Sequence, residues 1–183
     1  MYYFTLSLRI IQISFICLSL YSTIFPRENS SELYRTGEKE AILGNYDNAE
    51  KIFNEVIRMS PSFVLGHYGL GKLYLHKEGK THEAEKELKK ACELDKHFSK
   101  AHFYLGLSYF YQKKYIAAIH AFDEAYNTDK TCIESLYNIG VIYDLMDNSL
   151  KSKKYFKLWK SLKSRLDKEN ETWYQNKKLL LIK

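Results

Sequence analysis

The feature that most constrains this chain is a glycine that returns at a nearly constant interval. Gly37, Gly71, Gly106 and Gly140 stand 34, 35 and 34 residues apart. In step with them a small residue repeats at Ala49, Ala84, Ala118 and Ser152, and a bulky apolar one at Phe53, Leu88, Phe122 and Phe156. Three registers sharing one period define a unit written four times between Leu33 and Phe156. Nothing in these units alternates as a strand would, and two prolines and eight glycines in 183 residues leave room for long helices. Each unit therefore reads as a helix-turn-helix. Gly and Ala belong where two antiparallel helices approach closely, since larger side chains would push them apart. The Phe or Leu four residues after each Ala shares its helical face and fills space toward the neighbouring unit. One unit cannot bury its apolar face alone, so at least three must stack.

Three copies carry a closer signature: Leu70-Gly71-Lys72-Leu73-Tyr74, Leu105-Gly106-Leu107-Ser108-Tyr109 and Ile139-Gly140-Val141-Ile142-Tyr143. With the Ala and Phe registers, this pattern resembles the tetratricopeptide repeat. The first copy departs from it, with Thr36 and Glu40 at apolar positions, so its edge is expected to be solvated. The resemblance implies an all-α, right-handed α-solenoid of about four stacked repeats, working as a binding scaffold and not as an enzyme, with no cofactor or metal. Spacing predicts paired helices at 31–43 and 46–59, 62–77 and 81–94, 98–111 and 114–127, and 133–145 and 148–163. Gly-to-Ala spacing is 13 in the second copy and 12 in the others, which places one extra residue in the turn His76-Lys77-Glu78-Gly79-Lys80. Pro61 ends the first pair. Lys96 and Lys130 stand in its place in the next two copies, so those helix ends are expected to be less sharply fixed.

The repeats occupy 31–164, and what flanks them is different material. Residues 1–25 hold a single charge, Arg9, followed by an apolar run from Ile10 to Leu20. A positive flank before such a run is the pattern of an export signal or a membrane anchor. This predicts a membrane-associated or exported protein, the alternative being an extra amphipathic helix folded onto the array. Residues 26–30, with Pro26, Asn29 and Ser30, read as a linker. After the fourth pair, Lys168-Glu169-Asn170 reads as a break, and 165–183 as a capping helix and basic tail. Charge is unevenly placed. Residues 151–183 carry 11 Lys+Arg against 3 Asp+Glu, whereas 1–150 hold 17 against 19.

Several local patterns suggest chemistry and fail on context. Gly66 to Lys72 has the glycine and lysine spacing of a phosphate-binding loop, but Leu73 stands where Ser or Thr would hold magnesium. His82-Glu83 opens like a zinc-protease helix, but Lys86 occupies the position of the second histidine. Cys92, His97 and His102 match no standard zinc spacing. Cys92 and Cys132 fit either redox compartment.

The candidate site is the inner stripe of each first helix. Residues three before, one after, four after and five after each glycine share a face, and in tetratricopeptide repeats that face lines a concave groove for an extended or helical peptide. The stripes are Tyr34, Glu38, Ala41, Ile42; Tyr68, Lys72, Leu75, His76; Phe103, Leu107, Phe110, Tyr111; and Tyr137, Val141, Asp144, Leu145. The expected groove residues are Tyr34, Tyr68, Lys72, Phe103, Leu107, Phe110, Tyr111, Tyr137, Val141 and Leu145, for an apolar or aromatic segment of a protein or peptide partner. The alternative is that the rings only pack between helices. One branch of the family clamps a C-terminal carboxylate with Lys and Asn. Tyr34 and Glu38 stand where that clamp would begin, which disfavours such a ligand. The basic helix after Lys151, with Tyr155, Leu158, Trp159, Leu162 and Leu166 on its apolar face, is either a solvated flank or a contact for anionic lipid or nucleic acid. Nucleic acid is the weaker of these, because aromatics and lysines do not interleave in the groove.

Overall fold

The computed structural model describes residues 30–180, with side chains through 169. The apolar N-terminal run and its proposed linker up to residue 29 lie outside the described residues. Among the described residues there are eight helices and no strand. They are α1 (30–42), α2 (Tyr46–Met59), α3 (Val64–Tyr74), α4 (Thr81–Leu94), α5 (Ser99–Tyr111), α6 (Tyr115–Thr128), α7 (Glu134–Leu145) and α8 (Ser149–Leu180). Each packs on the next in the chain, which produces an all-α solenoid of four helix pairs.

All three sequence registers converge on one contact per pair. A β-carbon built on Gly37 would stand 2.7 Å from the Phe53 ring, one on Gly71 2.6 Å from Leu88 Cγ, one on Gly106 2.7 Å from the Phe122 ring and one on Gly140 2.9 Å from the Phe156 ring. The glycine of each first helix thus seats the bulky residue of its own second helix. Ala49, Ala84 and Ala118 are wholly buried and Ser152 nearly so. Phe53, Leu88 and Phe122 are equally inaccessible, while Phe156, in the last pair, is only half-buried. The core is a row of linked clusters running along the array, as expected where each repeat touches only its neighbours.

A fourth register lies in the turns. The residue with positive φ between the two helices of each pair is Gly44, Gly79, Lys113 and Asp147, at 81°, 75°, 59° and 56°. The inserted residue of the second copy is accommodated here. The turn after α3 runs from 75 to 80, against three residues in each of the other pairs.

Two expectations are corrected. The helices ending before Lys96 and Lys130 stop as sharply as the one before Pro61, at Leu94 and Thr128. Asp95 Oδ1 accepts the His97 amide at 2.9 Å and Asp129 Oδ1 the Thr131 amide at 2.9 Å, so an aspartate turn replaces the missing proline. The expected break at Lys168-Glu169-Asn170 is also absent, because α8 runs through it without interruption. Lys and Glu are good helix formers, and no Gly or Pro intervenes.

Polar ties join successive repeats. Lys77, in the turn of the second pair, reaches back to Asp47 at 2.8 Å and Glu50 at 2.6 Å on α2. One repeat on, Lys114 donates to Glu85 Oε2 at 2.8 Å, beside Gln112 at 3.0 Å and with Lys89 on Glu85 Oε1 at 2.6 Å. Burial opposes ionisation of Glu85, but these donors overcome it and bring its pKa down to about 2. In the third repeat the equivalent position is Ile119, and that junction is apolar.

Candidate functional site

The first helices α1, α3, α5 and α7 carry the inner stripes, and the structure divides the ten expected groove residues by depth. Tyr34 and Tyr68 are buried. The Tyr34 ring lies 5.7 Å from Phe53 and 6.3 Å from Phe63, and Tyr68 lies 4.9 Å from Phe98 and 5.6 Å from Tyr104. Burial, reinforced by Glu38 at Tyr34 and by Tyr104 at Tyr68, holds both phenols far above their usual range. These two rings build the wall between repeats. Lys72, Phe103, Leu107, Phe110 and Val141 are half-buried. The Lys72 ammonium sits 5.8 Å over the Tyr104 ring, and Phe103 meets Phe122 edge-on at 5.5 Å. Phe103, Leu107 and Phe110 pack against the cluster of Ala118, Phe122, Ile139 and Ile142. Three of the ten are open to solvent: Tyr111 at 56%, Tyr137 at 43% and Leu145 at 54%.

A hollow on this face lies in the first two repeats. It is a pocket of about 190 Å³ lined by Glu38, Ala41, Ile42, Tyr46, Phe53, Gly69, Lys72, Leu73 and His76. Five of these, Glu38, Ala41, Ile42, Lys72 and His76, are stripe residues that the spacing had placed together. The other residues were missed. Tyr46, at the start of α2, lies parallel to His76 with ring centres 6.2 Å apart and an interplanar angle of 11°. It stands three residues before Ala49, as Tyr115 does before Ala118, and that shared position was the available signal. Gly69 opens the floor, since a β-carbon there would stand 2.7 Å from Phe53 Cε1. Ile42, at the rim, is 84% exposed. A larger hollow of about 530 Å³ at Ser60, Phe63, Asp95 and Phe98 lies at the opposite edge, away from the stripes.

The motifs set aside on context have structural roles. Gly66 to Lys72 lies within α3, with Gly66 against Val56 and Ile57 and Gly71 against Leu88. Cys92 is buried and its thiol is pushed up to about 12, while His102 Nε2 lies 3.0 Å from the Lys96 carbonyl. Among the described residues no three of His, Cys, Asp and Glu converge as a metal site would require, and no helix is long and apolar enough to cross a membrane.

Two profiles of the tetratricopeptide repeat match the chain, one over 99–132 and the other over 41–63, 66–98 and 133–164. No curated protein matches it. Among solved structures, a crystal structure of MamA is 28% identical, covering 70% of this chain and 74% of that one, with a TM-score of 0.65. MamA from Desulfovibrio magneticus RS-1 is 22% identical over 75% and 77%, with a TM-score of 0.69. The first repeat domain of Spaghetti (RPAP3), bound to the HSP90 peptide SRMEEVD, is 18% identical over 66% and 94%, with a TM-score of 0.63. At such identities the last two show the shared fold alone.

Proposed function

The chain belongs to the tetratricopeptide repeat family, and we infer from this that it is a protein-interaction scaffold whose inner face takes an apolar or aromatic segment of a partner. Scaffolds of this family are generally non-enzymatic, and the reading for this chain is the same. The observation that carries it is a solvent-facing apolar side chain at the same stripe position in three of the four repeats, Ile42 at the pocket rim, Tyr111 in the third repeat and Leu145 in the fourth. Exposed apolar patches on a scaffold mark contacts with other macromolecules. The ligand class follows from the charges, since Lys72 is the single cation among the sixteen stripe positions beside His76, and Glu38 and Asp144 carry the opposite sign. A carboxylate-terminated peptide would meet too few donors there. The N-terminal run, with Arg9 before Ile10 to Leu20, supports a protein held at a membrane or exported.

A random peptide library selected on the full chain tests the groove. The selected peptides should be rich in Leu, Phe and Trp, and Ile42→Ser or Tyr111→Ser should weaken them about tenfold, the effect of losing a central apolar anchor. Selection of acidic, carboxylate-terminated peptides indifferent to both substitutions would overturn the reading. Cell fractionation tests the location: release only by detergent supports an N-terminal anchor, and recovery in the cytoplasmic fraction without detergent opposes both anchor and export.

A further inference from the structure

The outer side of α8 is a basic surface without acidic residues up to Leu166. Between Ser149 and Leu166 the helix carries seven Lys and Arg and no carboxylate. At 3.6 residues per turn, one side of it is committed to α7. Tyr155 stacks on Tyr143 at 5.6 Å, Trp159 lies 5.1 Å from Tyr137, and Phe156 covers Gly140. The opposite side presents Lys153, Lys154, Lys157, Lys160 and Arg165, all exposed, with Ser161 and Ser164 between them. Several lysines of the earlier repeats are neutralised, as Lys77, Lys80, Lys89 and Lys114 are by Asp47, Glu50, Glu83 and Glu85. None of these five α8 cations has an ion-pair partner among the described residues. Like charges three and four residues apart destabilise a helix, so this side holds repulsion that an anionic surface would relieve.

Leu150 distinguishes between anionic surfaces. By helical phase it falls among the lysines, and it is 83% exposed. Met146, in the turn that leads into α8, is 40% exposed. A phosphodiester strand would leave these side chains in water, whereas lipid headgroups would admit them. Among the described residues the rings of α8, Tyr155, Phe156 and Trp159, are turned to α7 and offer no stacking platform for bases. Asp144 and Asp147 precede this helix and Asp123 of α6 lies within electrostatic reach of Tyr155, while Asp144 is engaged by the Ser152 hydroxyl at 3.4 Å. The N-terminal apolar run supplies a second membrane-seeking element, and one apolar element plus a polybasic patch is the pairing that makes peripheral attachment stable.

We propose that the outer face of α8 docks the array on an anionic lipid surface, with the lysines on the headgroups and Leu150 among them. The inference is independent of what the inner groove holds. The full chain should partition at least tenfold more strongly into vesicles of phosphatidylcholine with phosphatidylglycerol than into phosphatidylcholine alone, and high salt should abolish that preference. Subtracting the neutral-vesicle signal removes the contribution of the N-terminal run. Joint substitution Lys153→Gln, Lys157→Gln, Lys160→Gln should erase the preference at an unchanged helical melt. Leu150→Ser, at a side chain that supports no packing, should weaken anionic-vesicle binding several-fold and leave binding to single-stranded DNA unaltered. Equal partition into both vesicle types overturns the proposal. So does a triple variant that keeps its preference, or one that loses DNA binding while vesicle binding persists.

Discussion

Gly106 lies directly beneath the ring of Phe122, so that a β-carbon at Gly106 would stand 2.7 Å from both Cδ1 and Cε1. Phe122 is wholly buried and cannot swing away without displacing Ile139 and Ile142, which pack with it. Gly106→Ala should therefore force α5 and α6 apart and destabilise the fold by about 1–3 kcal/mol, the cost of overpacking. Chemical denaturation monitored by circular dichroism measures it. An unchanged midpoint would mean that the helix pair absorbs a methyl group freely and that the glycine register has another cause.

The turn register leads to a change of opposite sign. Lys113 and Asp147 hold the left-handed conformation that Gly44 and Gly79 hold in the first two pairs. A side chain there costs backbone energy that glycine avoids, although glycine also loosens the unfolded chain. Lys113 is exposed, and the hydrogen bond that its backbone N–H donates to the Phe110 carbonyl at 2.9 Å does not depend on the side chain. Lys113→Gly should raise stability by up to about 1 kcal/mol, the left-handed penalty of about 1–2 kcal/mol less the roughly 0.4–1 kcal/mol lost through the looser unfolded chain. A lower melting temperature would show that the side chain contributes something the geometry does not reveal.

The glycine, alanine and aromatic registers were legible in the sequence because each is a steric requirement repeated without change. The turn register was not, since lysine carries no mark of a left-handed conformation and aspartate only a weak one. The depth of the rings was hidden for a different reason. Tyr34 and Tyr137 occupy the same position of their repeats, yet the first is buried under Phe53 and Phe63 while the second stays 43% exposed beside Phe156 and Trp159. Burial at that position depends on side chains from the second helix and the turn beyond it, which a pattern read within one helix does not include. Likewise Asp95 and Asp129 end their helices by hydrogen bonds that the missing prolines did not foretell.

His67 makes the array pH-sensitive. Its Nδ1 lies 2.7 Å from Glu87 Oε2 and its Nε2 3.0 Å from the Pro61 carbonyl, so both nitrogens face acceptors and only the imidazolium satisfies both. Burial works against the charge and Lys90 adds to that, but Glu87 and the carbonyl outweigh them and raise the pKa above its ordinary value. A raised folded-state pKa contributes stability that is fully present below the unfolded value of about 6.5 and is lost as pH rises through the folded value. The melting temperature should therefore fall on going from mildly acidic to mildly alkaline solution. Glu87→Gln should flatten that slope. Stability that rises with pH over this window would contradict the doubly bonded imidazolium.

The inner face is best probed where binding and folding separate. Phe110 is the obvious aromatic of the third stripe, but it is half-buried, 6.2 Å from Tyr115 and packed into the cluster around Phe122 and Ile139. Phe110→Ala opens part of that cluster and should cost roughly 2–4 kcal/mol of stability, so a loss of partner capture there would carry two meanings. Its neighbour Tyr111 is 56% exposed, and Ile42 at the pocket rim is 84% exposed. Truncating either should leave stability within about 0.5 kcal/mol, as for surface positions generally. If a partner segment covers them, each buried side chain is worth roughly 1.5–3 kcal/mol, and Tyr111→Ala or Ile42→Ala should weaken capture by tenfold or more at an unchanged melting temperature. Calorimetric titration of a selected peptide against each variant, paired with a thermal melt, separates the two effects. Should both variants bind as the parent does while only Phe110→Ala loses affinity and stability together, the stripe is core alone and the partner docks elsewhere.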